Sequence, residues 1–441
     1  MSGASPLARK LGFFSAAMVV VSSMVGGGVF LNPTLVARIL HAPGLILSAW
    51  ALGGVLALAG AFVFSELSTV LPYAGGEYAF LREAFHPFVG FLYGWTLLFV
   101  IGAGAVAVMA VGISTYVVQL LHWPAHLSGA LALALVLALS AYHALGIRAG
   151  VVLVNVITSA KLLVLGALIV AALAGPASGS AVHPSPFPEP GGFALGSSML
   201  AALVPVMYAY SGWEKLGYIA EEVIDPVRTL PRALLVGVAL VIGIYLASNA
   251  AYLHVLGAGG LAASDTPALA VAAATWGERG RRLLGVMVIA SMFSTLNLTL
   301  MTTPRVYYAM ARDGLFFRSL GRISPRFQAP TVAILLQGSV GGLLAAAGTY
   351  GRLVDYKVLG DWVFLSLCGV ALLRLRRKLP DAARPIPVPF YPFTPLALSA
   401  AGALMVANAL VTNPWHTAQG FAVIALGVPA FFLWWRAPRP A

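Results

Sequence analysis

The chain has 441 residues, of which 60% are hydrophobic and only 9% charged. A soluble domain carries about 25% charged residues, so this balance excludes an ordinary soluble enzyme and indicates an integral membrane protein. The net charge of +12 would suit nucleic acid, but the basic residues fall in short runs between apolar stretches, which argues against that partner.

Twelve stretches are long enough to cross a bilayer, each needing about 20 apolar residues. They lie near 12–40, 44–71, 85–121, 127–146, 149–174, 193–223, 232–256, 283–312, 330–348, 353–375, 393–411 and 418–436. The first follows Arg9 and Lys10 but lacks a cleavage site, so it is expected to be retained rather than removed as a signal peptide. The longest connections are 175–192, 257–282, 313–329 and 376–392. Arg and Lys gather at 9–10, 82, 148, 228–232, 312–326, 374–384 and 436–439, which twelve spans place on one side. The positive-inside rule then predicts a multi-pass protein of the cell (plasma) membrane with both termini cytoplasmic. Arg279, Arg281 and Arg282 break this asymmetry; a short interfacial helix is one reading of them.

Span 1 is interrupted at its centre by Val25-Gly26-Gly27-Gly28-Val29-Phe30. Glycine inside a helix costs about 1 kcal/mol relative to alanine, and a broken helix in lipid frees backbone groups that water cannot satisfy. Three glycines in mid-membrane therefore predict an unwound segment whose free N–H and C=O groups bind a solute. Close helix packing is the alternative. Span 6 carries a second interruption, Pro205 to Gly212, followed by Trp213 and Glu214. Spans 1 and 6 are five apart. Five is odd, so a directly repeated five-helix unit would be inverted in the membrane. Broken helices at matching positions of two inverted halves mark the binding site of a secondary transporter.

A half-helix starting at a break presents N–H groups with partial positive charge, and the preceding half ends in partly negative carbonyls. A zwitterion satisfies both, and an α-amino acid is the smallest common solute of that kind. Gly26, Gly27 and Gly28 are the donors expected for its carboxylate. Carbonyls before the span 1 break and within the span 6 break are expected to take its ammonium. Tyr208, just before the second break, either lies over the solute or packs. Glu214, beside that break, reads as a proton sensor or a local charge.

Lys161 lies eleven residues into span 5, about 17 Å along the helix at roughly 1.5 Å per residue. It is too deep to snorkel easily, and an ionisable group at that depth is functional by default. It must find carbonyls near the span 1 break or the hydroxyls of Ser291, Ser294 or Thr295, or lose its proton. It reads as a fixed cation in place of sodium or as a proton carrier, with a purely structural lysine as the alternative. Glu66 closes span 2 and Glu77 follows it. Glu221, Glu222, Asp225 and Arg228, where span 6 ends, read as interfacial charges and gate salt bridges. No metal-ligand spacing, phosphate loop or nucleophile elbow appears, so no catalytic residue, metal or cofactor is expected. The single cysteine, Cys368, falls inside span 10 and excludes an internal disulfide.

Several segments together resemble one family. Val25-Gly-Gly-Gly-Val-Phe-Leu-Asn-Pro33, Phe64-Ser-Glu66 through Pro72-Tyr-Ala-Gly75-Gly76-Glu77-Tyr78, and Tyr210-Ser-Gly212-Trp213 are three of them. Glu221-Glu222 through Pro231-Arg, Arg305 through Arg312-Asp313-Gly314, and Arg384-Pro-Ile-Pro-Val-Pro are the others. They are similar to the amino acid–polyamine–organocation superfamily and its L-type amino acid transporter-like branch. The resemblance implies an all-α fold of twelve transmembrane helices, a five-plus-five inverted repeat (LeuT-like) with discontinuous helices 1 and 6. The repeats would be 1–174 and 193–378, with helices 11 and 12 appended at 393–436. It implies sodium-independent exchange of neutral L-amino acids by alternating access. A proton-coupled symporter is the alternative on the same fold, and a transport-inactive sensor or channel is another.

Carried over by position, Gly26, Gly27 and Gly28 hold the carboxylate, and the carbonyls of Met24, Tyr208 and Ser211 hold the ammonium. Tyr208 is the gate, Lys161 fills the sodium site, and spans 3, 6, 8 and 10 line the side-chain pocket. The chain departs from the branch at Gly27, where many members have serine, and at Glu214-Lys215, which is more charged. Human members pair with a glycoprotein through an outer cysteine. This chain lacks one, so no obligatory disulfide-linked subunit is expected, and the partners are the amino acid and the lipid bilayer.

Overall fold

The computed structural model describes residues 7–176, 192–347, 350–412 and 414–435. Most of the proline-rich connection 175–192 lies outside the described residues. The first helices are α1 (Phe13–Met24), α2 (Gly28–Leu40), α3 (Pro43–Val70), α4 (Glu77–Ala84) and α5 (Pro87–Thr96). A π-helical turn, Leu97–Ile101, joins α5 to α6 (Gly102–Leu120). Next come α7 (Ser128–His143), α8 (Ile147–Ala174), α9 (Gly192–Tyr210) and α10 (Lys215–Tyr218). The chain continues through α11 (Pro226–Ala263), α12 (Pro267–Thr302), α13 (Pro304–Arg312) and α14 (Thr331–Ala347). It ends with α15 (Tyr350–Lys378), α16 (Phe393–Thr412) and α17 (Pro414–Trp435).

Among the described residues, eight helical stretches are long and apolar enough to cross a bilayer. The bent pair α1 and α2, two shorter apolar helices in α14 and α17, and the more charged α15 complete the twelve passages expected. Among the described residues no strand forms; one isolated bridge joins Leu11 to Val223. Helices α3, α5, α11, α12 and α13 open on proline, where the missing N–H costs nothing because the first turn has no partner for it.

Span 3 runs through as one helical stretch, Pro87–Val118, with a π turn at Leu97–Ile101 inside it. The structure departs from expectation in two stretches. Span 6 does not run to residue 223: α9 stops at Tyr210, and the chain re-forms as the single turn α10 and a 3-10 turn at Ala220–Glu222. The connection 257–282 is largely helical rather than a loop: Gly257 and Gly277 take non-helical conformations (φ 67° and 69°), at each of which one helical limb ends and another begins. Arg281 and Arg282 follow the second kink and pair with Glu278, so the arginine trio starts the long limb of α12 rather than forming a separate interfacial helix.

Residues 7–11, 74–83, 218–226 and 308–328 meet on one face of the bundle, here the amino-terminal face. The amides of Lys10 and Leu11 donate to the Glu222 carbonyl at 2.9 and 3.0 Å, and the Ile224 amide donates back to Leu11 at 2.9 Å. The buried pair Arg305–Glu222 (2.8 Å) lies beneath them. Burial raises the Glu222 carboxyl, and the Arg305 guanidinium opposes that rise. Arg82 and Tyr78 both bond Asp313, and Arg312 lies 3.8 Å from Glu221. Glu66 is fully buried and accepts from Arg376, from Arg384 and from the Val388 amide. Glu221 and Glu222 are thus each held in an ion pair on this face. Among the described residues Asp225 and Arg228 pair with each other, at 3.8 Å on the surface.

Candidate functional site

Helix 1 does unwind at its glycines. The α1 hydrogen bonds end with the Val25 amide, the Gly26 amide turns back to Met24 at 2.7 Å, and α2 restarts at Gly28 with a 40° change of direction. The three glycines differ in purpose. A Cβ on Gly28 would lie 2.9 Å from the Ala209 backbone, so its bareness is what lets α2 approach α9. A Cβ on Gly27 would meet nothing within 4 Å; that position faces open space. Close packing therefore accounts for Gly28, while Gly27 is open to the cavity.

Helix 6 breaks after Tyr210. The Gly212 backbone has φ +117°, and a Cβ there would lie 2.6 Å from the Ser23 carbonyl oxygen. Only glycine suits both the dihedral and the contact, so the second break rests directly on the end of the first half of helix 1. The Gly212 amide donates to the Glu214 carboxylate at 2.8 Å. Asn32 donates to the Pro205 carbonyl at 2.7 Å, joining α2 and α9 beside both interruptions.

The two breaks share one cavity of about 50 Å³. Met24, Gly26, Gly27, Gly28, Tyr208 and Ser211 line it, as do Glu214 and Thr295. Helix 3 adds Ala105, Val108 and Met109. The lining comes from α1, α2, α6, α9, α10, α12 and the two breaks. Gly104 faces a separate apolar cavity between α6, α14 and α17.

Lys161 is buried behind the cavity rather than in it. Its ammonium donates to the Val25 carbonyl at 2.6 Å, with the Ser22 carbonyl at 3.4 Å. The Ser291 hydroxyl donates to the same Val25 oxygen at 2.8 Å. Ser294 pairs with the Ser22 hydroxyl at 2.8 Å, and Thr295 bonds the Ser291 carbonyl at 3.1 Å. The cation thus sits on carbonyls that the span 1 break releases, with two serines of α12 in the same network.

Two residues at the site were given no role by the sequence. Tyr245 of α11 places its hydroxyl 2.7 Å from the Met24 carbonyl and 3.1 Å from the Ala209 carbonyl, bridging the two interrupted helices. With the Gly26 amide, it engages the Met24 oxygen from two sides. Lys215 lines the cavity and donates to Thr299 at 3.1 Å. The Tyr208 carbonyl accepts from the Ser211 amide and hydroxyl at 3.3 and 2.8 Å. Lys215 could be suspected from a charge adjoining the break; nothing local marks Tyr245.

Two unwound helices meeting at one mid-bundle cavity define a membrane solute carrier. The sequence matches the amino acid permease family over residues 11–431, and the chain belongs to that family; it is a transporter, not an enzyme. It is 30% identical to the human (Homo sapiens) b(0,+)-type amino acid transporter 1, over 97% of this chain and 88% of that protein. It is 28% identical to the serine/threonine exchanger SteT of Bacillus subtilis (strain 168), over 97% of both chains. It is 30% identical to the large neutral amino acids transporter small subunit 2 of Mus musculus, over 99% of this chain and 83% of that protein.

Proposed function

We propose that the chain exchanges neutral L-amino acids across the plasma membrane, without sodium, by alternating access. The observation that carries this reading is the single cavity between the two breaks, with the Lys161 ammonium bonded to the Val25 carbonyl behind it. A resident protein cation on released carbonyls takes the role a sodium ion would otherwise have. The solute carboxylate binds the amides at Gly26, Gly27 and Gly28. Its ammonium binds carbonyls of Met24, Tyr208 and Ser211 as Tyr245 and Ser211 release them, and Tyr208 closes over it. Helices 1–5 and 6–10 form inverted repeats, 1–174 and 193–378, with 393–436 appended, and both termini are cytoplasmic. The names of the relatives, exchangers and transporters of amino acids, support this class of substrate.

The chain works without a disulfide-linked subunit. Its one cysteine, Cys368, is buried, although one relative is named as a small subunit. Proteoliposomes loaded with unlabelled L-alanine, L-serine or L-leucine test the reading. Radiolabelled uptake is expected to rise with internal amino acid and to ignore sodium. Uptake driven by a pH gradient into empty vesicles would instead favour proton symport, the reading that Glu214 in the cavity wall supports.

A further inference from the structure

Glu77 opens α4, between the spans that end at Val70 and begin at Pro87. Its carboxylate oxygen Oε2 faces two phenols. Tyr93 of α5 bonds it, and the Tyr218 hydroxyl lies 2.9 Å away. The two phenols are themselves 2.6 Å apart. Three oxygens therefore form a closed triangle, and each edge is a hydrogen-bond contact.

Proton counting decides its charge. Three O···O edges need three protons, and two phenols bring only two. If Glu77 were ionised, one edge would hold no proton, whether the 2.6 Å contact between the phenols or the 2.9 Å contact of Tyr218 with the carboxylate. Two bare oxygens do not rest at a distance typical of a good O–H···O bond. A proton on Glu77 completes a one-way ring: Glu77 donates to Tyr218, Tyr218 to Tyr93, and Tyr93 to Glu77.

The ring is attached to the transport site. Tyr218 is the last residue of α10, the single turn that follows the helix 6 break. Its carbonyl accepts from the Gly75 amide at 3.2 Å, and Gly76 packs against Gly217 so closely that a Cβ would lie 3.0 Å from its backbone. The turn before α4 thus grips α10, and the next residues back, Lys215 and Glu214, line the solute cavity.

We propose that Glu77 is a proton-binding site, and that its proton locks the part of helix 6 that follows the break and so sets the rate of amino acid exchange by pH. The inference rests on the exchanger reading above and adds a regulator to it. The proton is taken from water and returned to it. When it leaves, one of the two edges at Tyr218 loses its hydrogen, and a new negative charge appears near two others, Glu214 at the break and Asp361 of α15. Tyr218 is pushed off and α10 loosens. The remaining titratable neighbours are Cys368 of α15 and the two phenols, while Lys215 donates to Thr299. Burial raises the Glu77 carboxyl to about 8, with Glu214 adding to the rise, which puts the switch in a physiological range.

Two measurements on the full-length protein test this. Infrared titration of wild type should show a protonated-carboxyl band that fades as pH passes about 8 and is missing in Glu77→Gln. If Glu77→Gln does not fold, Glu77→Asp should displace the band and its midpoint. A band that neither change touches, or no band, overturns the proposal. In proteoliposomes, L-alanine exchange should rise roughly tenfold from about pH 7 to 9, following the ionised fraction of one acid. Glu77→Gln, whose amide donates to the tyrosines as the acid does, should exchange slowly with a flat profile. A wild-type profile in that variant overturns the proposal. Wild type without exchange at any pH overturns the exchanger reading instead, and the infrared result still decides the proton.

Discussion

The Lys161 ammonium lies 2.6 Å from the Val25 carbonyl oxygen, on the residue where helix 1 loses its ladder. The same oxygen accepts from Ser291 of α12, so one backbone atom gathers α8, α12 and the break. Lys161→Ala leaves the cavity lining intact but removes that junction. Exchange is expected to fall by about tenfold or more, the scale of a coupling between sites. Substrate binding, read by ligand-induced thermal shift, should change much less. Equal losses in both would show that the lysine serves binding rather than coupling.

Alanine at the two neighbouring glycines should give opposite results. Gly28→Ala forces a methyl to 2.9 Å from the Ala209 backbone, and overpacking of this kind costs about 1–3 kcal/mol. A lower thermal midpoint and poor recovery of folded protein are expected. Gly27→Ala has room for its methyl, so it should fold normally and weaken substrate affinity by intruding on the carboxylate. Normal folding of both variants would contradict the division of labour drawn here.

Tyr245→Phe removes the bridge between the Met24 and Ala209 carbonyls. The expected cost is about 1–2 kcal/mol, since a buried acceptor loses its donor. The lowered midpoint should be accompanied by faster substrate release, measured by efflux from preloaded vesicles. An unchanged midpoint would mean that the hydroxyl is dispensable.

Glu66→Gln tests the tie between α3 and the segment after α15. The carboxylate is fully buried, while Arg376 and Arg384 keep 20% and 15% of their side chains exposed. Breaking a buried ion pair costs about 3–5 kcal/mol; partial exposure of both arginines lowers the expectation to about 2–3 kcal/mol. Denaturation of the purified variant in mild detergent gives the comparison.

Glu77 also predicts a pH dependence of stability. Its carboxyl titrates at about 8 in the folded chain against an ordinary 4.5, so the folded state holds the proton more tightly. The resulting stability is complete below about 4.5 and is lost as pH climbs through about 8. The thermal midpoint of wild type should decline over that interval more steeply than that of Glu77→Gln. Parallel curves would remove Glu77 as the cause.

Much of this site was legible in the chain because lipid makes certain errors expensive. Three adjacent glycines in span 1, and Pro205 with Gly212 in span 6, are too costly at mid-membrane to be idle, and both mark real breaks. Lys161 could be placed by counting residues, since a charge that deep needs carbonyls, and the nearest free ones are at the break. Ser291, expected as a possible partner, does not bond the lysine but shares its Val25 acceptor. Tyr245 was not legible in this way, because a tyrosine in an apolar helix carries no local sign of which carbonyl it will meet. The Glu77 triangle was equally hidden: its members are 16 and 125 residues apart in pairs, and only packing brings them together. The kinks at Gly257 and Gly277 were lost for another reason. A glycine in a polar connection reads as a turn, and the flanking helical limbs are too short to show periodicity.

The paired backbone of Leu11 and Val223 has a practical meaning for anyone attaching a reporter. A fluorescent domain, bead or surface tether fused ahead of Leu11 would hang on the same short stretch that leads out of helix 6, and its drag would be felt at the hinge. Force applied there would be a lever on the permeation cycle, whereas a handle beyond the last helix would leave that hinge undisturbed.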